Sequence, residues 1–301
     1  MLKLGHPANI GYTELTIQLA SLAKRYPLEI KSIGTSLLGR QLWTVHLGQG
    51  TKSIYLSGAY HGNEWLTAAV LLQFISNYLE TLEKGTLFWG IDLAQLSTQV
   101  SLWITPMVNP DGVTLVREGL NGIPSQYHST LWRWNYGNTN FRYWKSNIRG
   151  VDLNRQFQAD WRKAYLDGPK LPAPKYFAGE NPESEPESRA VAQFTRELIP
   201  EIVVAYHSQG EVIYWNYRKK APPTARRIAR ELSRLSGYAL IGSNPQEAGS
   251  GGFKDWFIDN YQRPGFTIEI GRGINPLPLQ QFGRIWRQNA PLLAHLGTFL
   301  R

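Results

Sequence analysis

Four side chains of this 301-residue chain have the types and spacing for hydrolytic metal chemistry. His61 and Glu64 stand three residues apart in His61-Gly62-Asn63-Glu64, and His207 and Glu269 lie far downstream. Two neutral imidazoles and a carboxylate form a ligand set that holds Zn²⁺ and leaves one position for water. A further acid beside such a centre could move the protons of a hydrolysis. Taken singly, each signal is weak: His-x-x-Glu recurs by chance, and a histidine at a strand end has an ordinary reading as a cap or core-edge residue.

The surrounding sequence supplies the elements that would position these groups. Ser53-Ile54-Tyr55-Leu56-Ser57-Gly58 is a short β-rich run. Residues 65–79 repeat apolar positions at 65, 66, 68, 69, 71, 72, 75 and 79, which predicts a helix. His61 and Glu64 therefore fall on a strand-to-helix turn, where both side chains can face one point. Ile202-Val203-Val204-Ala205-Tyr206-His207 reads as a strand ending in a histidine, and α/β sheets gather ligands at such carboxyl ends. Phe266-Thr267-Ile268-Glu269-Ile270-Gly271 places one acid inside an apolar strand, a costly arrangement unless a cation or hydrogen bonds compensate it. Strand-like runs such as 101–104 alternate with helical ones such as 223–236. This predicts an α/β fold with a mixed central sheet between helical layers, one domain over residues 1–301, with the first 50 residues contributing a helix and strands that lead into it. Prolines at 169, 172, 174, 182 and 186 predict a rigid surface loop over 167–186 that could border a substrate groove, followed by a helix over 187–198.

The order His-x-x-Glu, Asn-Arg, His, Glu resembles the zinc carboxypeptidase family, the M14 metallopeptidases, over nearly the whole chain. After a helical stretch at 12–27 come Ile33-Gly34-Thr35-Ser36-Leu37-Leu38-Gly39-Arg40 and Pro106-Met107-Val108-Asn109-Pro110-Asp111-Gly112. Gly150-Val151-Asp152-Leu153-Asn154-Arg155, Ser184-Glu185-Pro186-Glu187 and Ser250-Gly251-Gly252 ahead of Asp255-Trp256 also match that family in order. The resemblance implies one zinc per chain on His61, Glu64 and His207, Glu269 as general base, and Asn154 and Arg155 gripping the terminal carboxylate of a peptide. A guanidinium suits that last task because its planar fork matches a carboxylate.

Many relatives carry an arginine shortly before the Asn-Arg pair to stabilise the oxyanion; here Lys145 is the first candidate and Arg149 the second. Glu247 stands where digestive members place a mobile tyrosine. Lys254 matches the position that sets the specificity pocket, where a cation would favour a substrate with an extra carboxylate, and an ordinary solvated lysine is the alternative. Among bacterial members the sequence is most similar to the γ-D-glutamyl-diamino acid peptidases, sharing Trp144-Lys145 and Lys254-Asp255-Trp256-Phe257-Ile258. The resemblance thus implies a zinc peptidase on peptidoglycan stem peptides, with Lys254 and Glu247 pairing with the far end of diaminopimelate. Asn154-Arg155 pulls toward plain carboxypeptidase action, and a zinc deacylase on small N-acyl amino acids is a further alternative.

Composition narrows the remaining classes. A net charge of +9 and a pI near 9.6 would suit an anionic partner, yet no zinc finger, RNP-like strand or recognition helix is present, so a nucleic-acid partner is not expected. Arg218-Lys219-Lys220 with Arg226, Arg227 and Arg230 reads as a solvated face. Leu131-Trp132-Arg133-Trp134-Asn135-Tyr136 either packs in the core or stacks on substrate. With no cysteine there can be no disulfide, thiolate ligand or thiol nucleophile, and Ser36, Ser57 and Ser208 lack a nucleophile-elbow context. His6, His46, His128 and His295 have no partners at ligand spacing and are expected to be structural or surface residues. The segment Met1-Leu2-Lys3-Leu4-Gly5-His6-Pro7 lacks the apolar core of a signal peptide and no run reaches membrane-spanning length, so the expectation is a cytoplasmic protein without a membrane partner.

Overall fold

A computed structural model describes residues 10–242 and 251–300. The strands are β1 (Glu29–Thr35), β2 (Gln41–Leu47), β3 (Lys52–Gly58), β4 (Val100–Thr105), β5 (Ile202–Ser208), β6 (Val212–Tyr214), β7 (Ala239–Ile241) and β8 (Gly265–Ile270). The helices are α1 (Tyr12–Arg25), α2 (Leu66–Lys84), α3 (Leu93–Ser97), α4 (Pro110–Glu118), α5 (His128–Trp134), α6 (Trp161–Asp167), α7 (Pro186–Leu198), α8 (Pro223–Ser236), α9 (Phe253–Tyr261) and α10 (Phe282–His295). All eight strands join one sheet in the order β1-β2-β4-β3-β5-β8-β6-β7. The four central strands β4, β3, β5 and β8 run parallel, while β1, β2 and β6 pair antiparallel with their inner neighbours. The mixed sheet and its α/β class are those the sequence predicts.

Helices cover both faces, which is why the central strands are apolar on both sides. Ile54, Leu56, Ile202, Val204 and Tyr206 face a core completed by α1, α2, α8 and α10. Their neighbours Tyr55, Val203 and Ala205 face a second core with Val191 and Phe194 of α7 and Phe253 and Phe257 of α9. Every residue of β5 is buried.

The predicted helix over 65–79 begins one residue later and runs on to Lys84, where Gly85 at φ 58 supplies the left-handed cap that ends it. Helix α7 opens on Pro186 instead of residue 187, because proline's missing N–H is harmless in a first turn. The proline-rich stretch predicted to be a loop is irregular between α6 and α7. Residues 131–136 divide: Leu131 is buried and Trp134 packs against the same cluster as Phe141 and Trp144, whereas Trp132 is 49% and Tyr136 84% exposed.

The basic stretch is partly paired, Arg218 with Asp160 and Lys220 with Asp259, while Arg226, Arg227 and Arg230 are exposed on α8 as expected. Three of the remaining histidines have structural partners. His46 pairs with Glu29 and stacks on Trp103, and His128 and His295 lie at backbone carbonyls. His6 and Glu247 lie outside the described residues.

Candidate active site

Three parallel strands that are neighbours in the sheet deliver the site. β3 ends at Gly58 and leads through a single 3-10 turn, Gly62–Glu64, into α2, so His61 and Glu64 sit beyond its carboxyl end. His207 lies at the same end of β5, and in the ladder it is directly opposite Glu269 of β8. The turn is held by close backbone packing: a Cβ on Gly62 would fall 2.5 Å from the Gly112 carbonyl oxygen. Asn109 locks the same junction. Its Oδ1 accepts from Gly112 N–H and caps α4, while its Nδ2 donates to the carbonyls of Tyr60 and Ser146. The matched segments around Asn109 and His61 are thus one packed unit.

His61, Glu64 and His207 are buried and converge, with one ligand atom from each lying within 4.8 Å of the others. Nδ1 of His61 stands 2.8 Å from Glu64 Oε1, and Nδ1 of His207 stands 3.1 Å from Oε2. The two Nδ1 atoms are 3.3 Å apart. Two nitrogens bound at about 2.0–2.1 Å to a tetrahedral ion are separated by about 3.3–3.4 Å, so the donor set fits zinc in both chemistry and scale.

The far side of the His61 ring explains its orientation. Nε2 lies 3.0 Å from Oδ1 of buried Asp152, which holds the ring proton there and presents the Nδ1 lone pair to the centre. Glu64 is fixed in turn by Ser208 N–H at 3.1 Å and Asn275 Nδ2 at 3.3 Å. The ring of Tyr60 stacks on His207 at 5.3 Å.

Charge at the site follows from this packing. Burial opposes an imidazolium at His61, but Glu64 and Asp152 outweigh it and push its pKa up to about 9, whereas burial lowers that of His207. Burial likewise opposes ionisation of Glu64, yet His61 and Lys145 hold its carboxyl well below the usual range. Burial and the neighbouring Glu64 charge raise Glu269 to about 8. Its carboxyl stands opposite His207 in the ladder, a place from which it can exchange a proton with a water at the centre.

The structure separates the two oxyanion candidates. Lys145 Nζ reaches 3.3 Å from Glu64 Oε1, and Glu269 and Asp152 also favour its charged form. Arg149 points elsewhere and pairs with buried Glu185 at 2.7 Å. Arg155 stands beside the centre with Nε 3.9 Å from Asp152 Oδ2, and Asn154 spends its Oδ1 on Phe253 N–H at the start of α9, which leaves its amide N–H₂ for a ligand. Gly251, at φ 74, lets that segment approach closely, since a Cβ there would meet the Arg155 carbonyl oxygen at 2.7 Å.

Lys254 is not the ordinary solvated lysine that the sequence left as the alternative. It is buried and not solvated, and it is no free cation, because its ammonium is bound by Asp255 and the Asn216 carbonyl. Sequence reasoning gave no role to Asp152 or Asn275. The lone acid of Gly150-Val151-Asp152-Leu153-Asn154-Arg155 was the available signal for the first; nothing local marks the second.

Comparison with known proteins places this arrangement. The family model described as zinc carboxypeptidase matches residues 16–291. The chain is 39% identical over 295 residues to gamma-D-glutamyl-L-diamino acid endopeptidase 1 of Lysinibacillus sphaericus, covering 97% of this chain and 72% of that protein. It is 37% identical to the uncharacterized protein YqgT of Bacillus subtilis, covering 87% and 70%. A solved structure of thrombin activatable fibrinolysis inhibitor shares the fold, with a TM-score of 0.75 at 20% identity over 98% of this chain and 77% of that one.

Proposed function

We propose that this chain, which belongs to the zinc carboxypeptidase family and is a zinc metallopeptidase, hydrolyses the bond between γ-D-glutamate and a diamino acid in peptidoglycan stem peptides. The observation that carries the hydrolytic part is the convergence of His61 Nδ1, Glu64 and His207 Nδ1 beside Glu269 and Lys145. The substrate class is supported by the activity for which the Lysinibacillus relative is named, whose similarity spans 97% of the chain.

His61, Glu64 and His207 would hold the ion, with Asp152 orienting His61. Zinc, when bound, lowers the pKa of a ligated water to about 7 and polarises a carbonyl. Glu269 takes the proton of the attacking water and delivers it to the departing amine. The Lys145 ammonium, held at the site edge by Glu64, offsets negative charge that develops on the carbonyl oxygen. Arg155 and the amide of Asn154 bind the substrate's terminal carboxylate. That clamp favours release of a single C-terminal residue, so ordinary carboxypeptidase action is the second reading.

Mass spectrometry of products from three substrates separates these: a γ-D-glutamyl-diaminopimelate tripeptide, an α-linked peptide and an N-acetyl amino acid. Release of diaminopimelate from the first at the highest kcat/KM is the expected result; preference for either other substrate overturns the assignment. Glu269→Gln should retain zinc and lose about 10²–10⁴ in kcat. Turnover at the parental rate would remove the general base from the mechanism.

A further inference from the structure

Tyr176, in the irregular segment between α6 and α7, is held by contacts that sequence reading does not anticipate. Its φ is 71, a left-handed conformation that disfavours a bulky residue and persists only when the surroundings impose it. Its N–H donates to Asp152 Oδ2 at 3.2 Å, on the carboxylate whose other oxygen orients His61. The ring is 40% exposed and meets three cations: the Arg155 guanidinium at 5.0 Å from its centroid, the Lys175 ammonium at 5.2 Å and the Lys145 ammonium at 5.8 Å.

Two of those cations belong to the substrate machinery. The ring is therefore within cation–π range of both the group assigned to the terminal carboxylate and the group assigned to the oxyanion. In a peptide cut before its last residue, the atoms these groups bind are one residue apart, about 3.8 Å between Cα atoms. A single aromatic ring that attracts both cations limits how far each can move from the other. Without it, the carboxylate that pairs with Arg155 among the described residues is Asp152, already 3.9 Å away. Arg155 would fold onto that carboxylate and leave the substrate.

We propose that Tyr176 is a positioning residue that gauges the distance from the carboxylate clamp to the oxyanion cation, and so makes the site selective for substrates ending one residue beyond the cut bond. The inference rests on the roles given above to Arg155 and Lys145. It assigns Tyr176 no chemical step.

The test compares the zinc-loaded parent with Tyr176→Phe, Tyr176→Leu and Tyr176→Gly on a γ-D-glutamyl-diaminopimelate tripeptide and an α-linked peptide, each with a free and an amidated C-terminus. Loss of the ring should raise KM for free-carboxylate substrates about 5- to 30-fold, with kcat within about threefold and the amidated substrates unaffected. Tyr176→Phe should restore KM to within about twofold. Tyr176→Gly should show the same KM rise without a lower Tm, since glycine accepts this backbone conformation and its loss of the ring cannot be read as strain.

Calorimetric titration with free diaminopimelate should show Kd weakened by the same factor in the leucine and glycine variants, at unchanged zinc content. Equal losses on free and amidated substrates, a kcat-only effect, or loss of zinc would assign Tyr176 a structural role and overturn the proposal. Should the parent cleave only the α-linked peptide, the stem-peptide reading falls while the variant-to-parent ratios on that peptide still decide the case of Tyr176.

Discussion

Replacing Asp152 by asparagine keeps the shape of a buried side chain and removes the charge that holds His61 from behind. Oδ1 lies 3.0 Å from His61 Nε2 and 3.2 Å from Asn154 N, and Oδ2 lies 3.2 Å from Tyr176 N. Every one of these neighbours is a donor. An amide has one acceptor oxygen, so whichever way it turns, its N–H₂ faces at least one backbone donor, and a buried donor left unpaired costs about 1–3 kcal/mol. If the oxygen keeps His61, the bond still loses its ionic character; if it turns away, His61 loses its orienting partner.

Loss of such a partner typically lowers metal affinity 10- to 100-fold, about 1.4–2.7 kcal/mol. One effect opposes this. Asp152 is among the groups that push His61 up to about 9 in the metal-free protein, so its removal eases proton competition with zinc near neutral pH. Above pH 9 that relief vanishes. Zinc titration against a chelating dye should therefore show a loss at pH 9.5 at least as large as at pH 7. Affinity within twofold of the parent at pH 9.5, or a loss confined to pH 7, would refute the reasoning.

Three further outcomes follow from particular contacts. Lys145→Met should lower kcat about 10²–10³-fold, whereas Arg149→Met should leave kcat near the parent value and lower Tm by stranding buried Glu185; steady-state kinetics with thermal melts would show the reverse pattern if Arg149 were the oxyanion cation. Burial, with Asp111 and Glu185 nearby, raises the pKa of Glu187 to about 8. Its neutral form is therefore favoured by folding, and its contribution is full below the unfolded carboxyl pKa near 4.3 and lost as pH rises through about 8. Glu187→Gln should accordingly flatten the decline in stability between pH 5 and 8.5, by on the order of 3 kcal/mol in urea unfolding, and an unchanged slope would contradict the assignment. Gly62→Ala forces a methyl against the Gly112 carbonyl and should cost about 1–3 kcal/mol and displace His61 and Glu64, visible as lower Tm and lower zinc stoichiometry; an unaltered zinc content would count against the packing account.

Much of the site was legible because strand periodicity fixes where a side chain emerges. His207 closes an apolar β run and Glu269 sits one residue from the end of another, and parallel neighbours in a sheet bring such ends to one edge. His61 and Glu64 were readable from a strand followed directly by a helical repeat. Lys145 was placed ahead of Arg149 on resemblance alone, since both lie in irregular chain where no period dictates direction. The charge partners of Lys254 were hidden for a related reason: nothing in the local pattern shows that Asp255 and the carbonyl of Asn216 take up its ammonium.

The sequence by itself determined the α/β alternation, the ends of the central strands, the set of zinc-binding chemistries open to a chain without cysteine, and the motif order that marks its family. Only tertiary structure decided which charges are already paired, which cation faces Glu64, and that Asp152, Asn275 and Tyr176 stand behind the groups that meet metal and substrate. The physical reason is range. Hydrophobic periodicity is written in neighbours two to four residues apart, whereas the pairing of buried charges depends on groups such as Glu64 and Asn275, which lie 211 positions apart and meet only when the chain has folded.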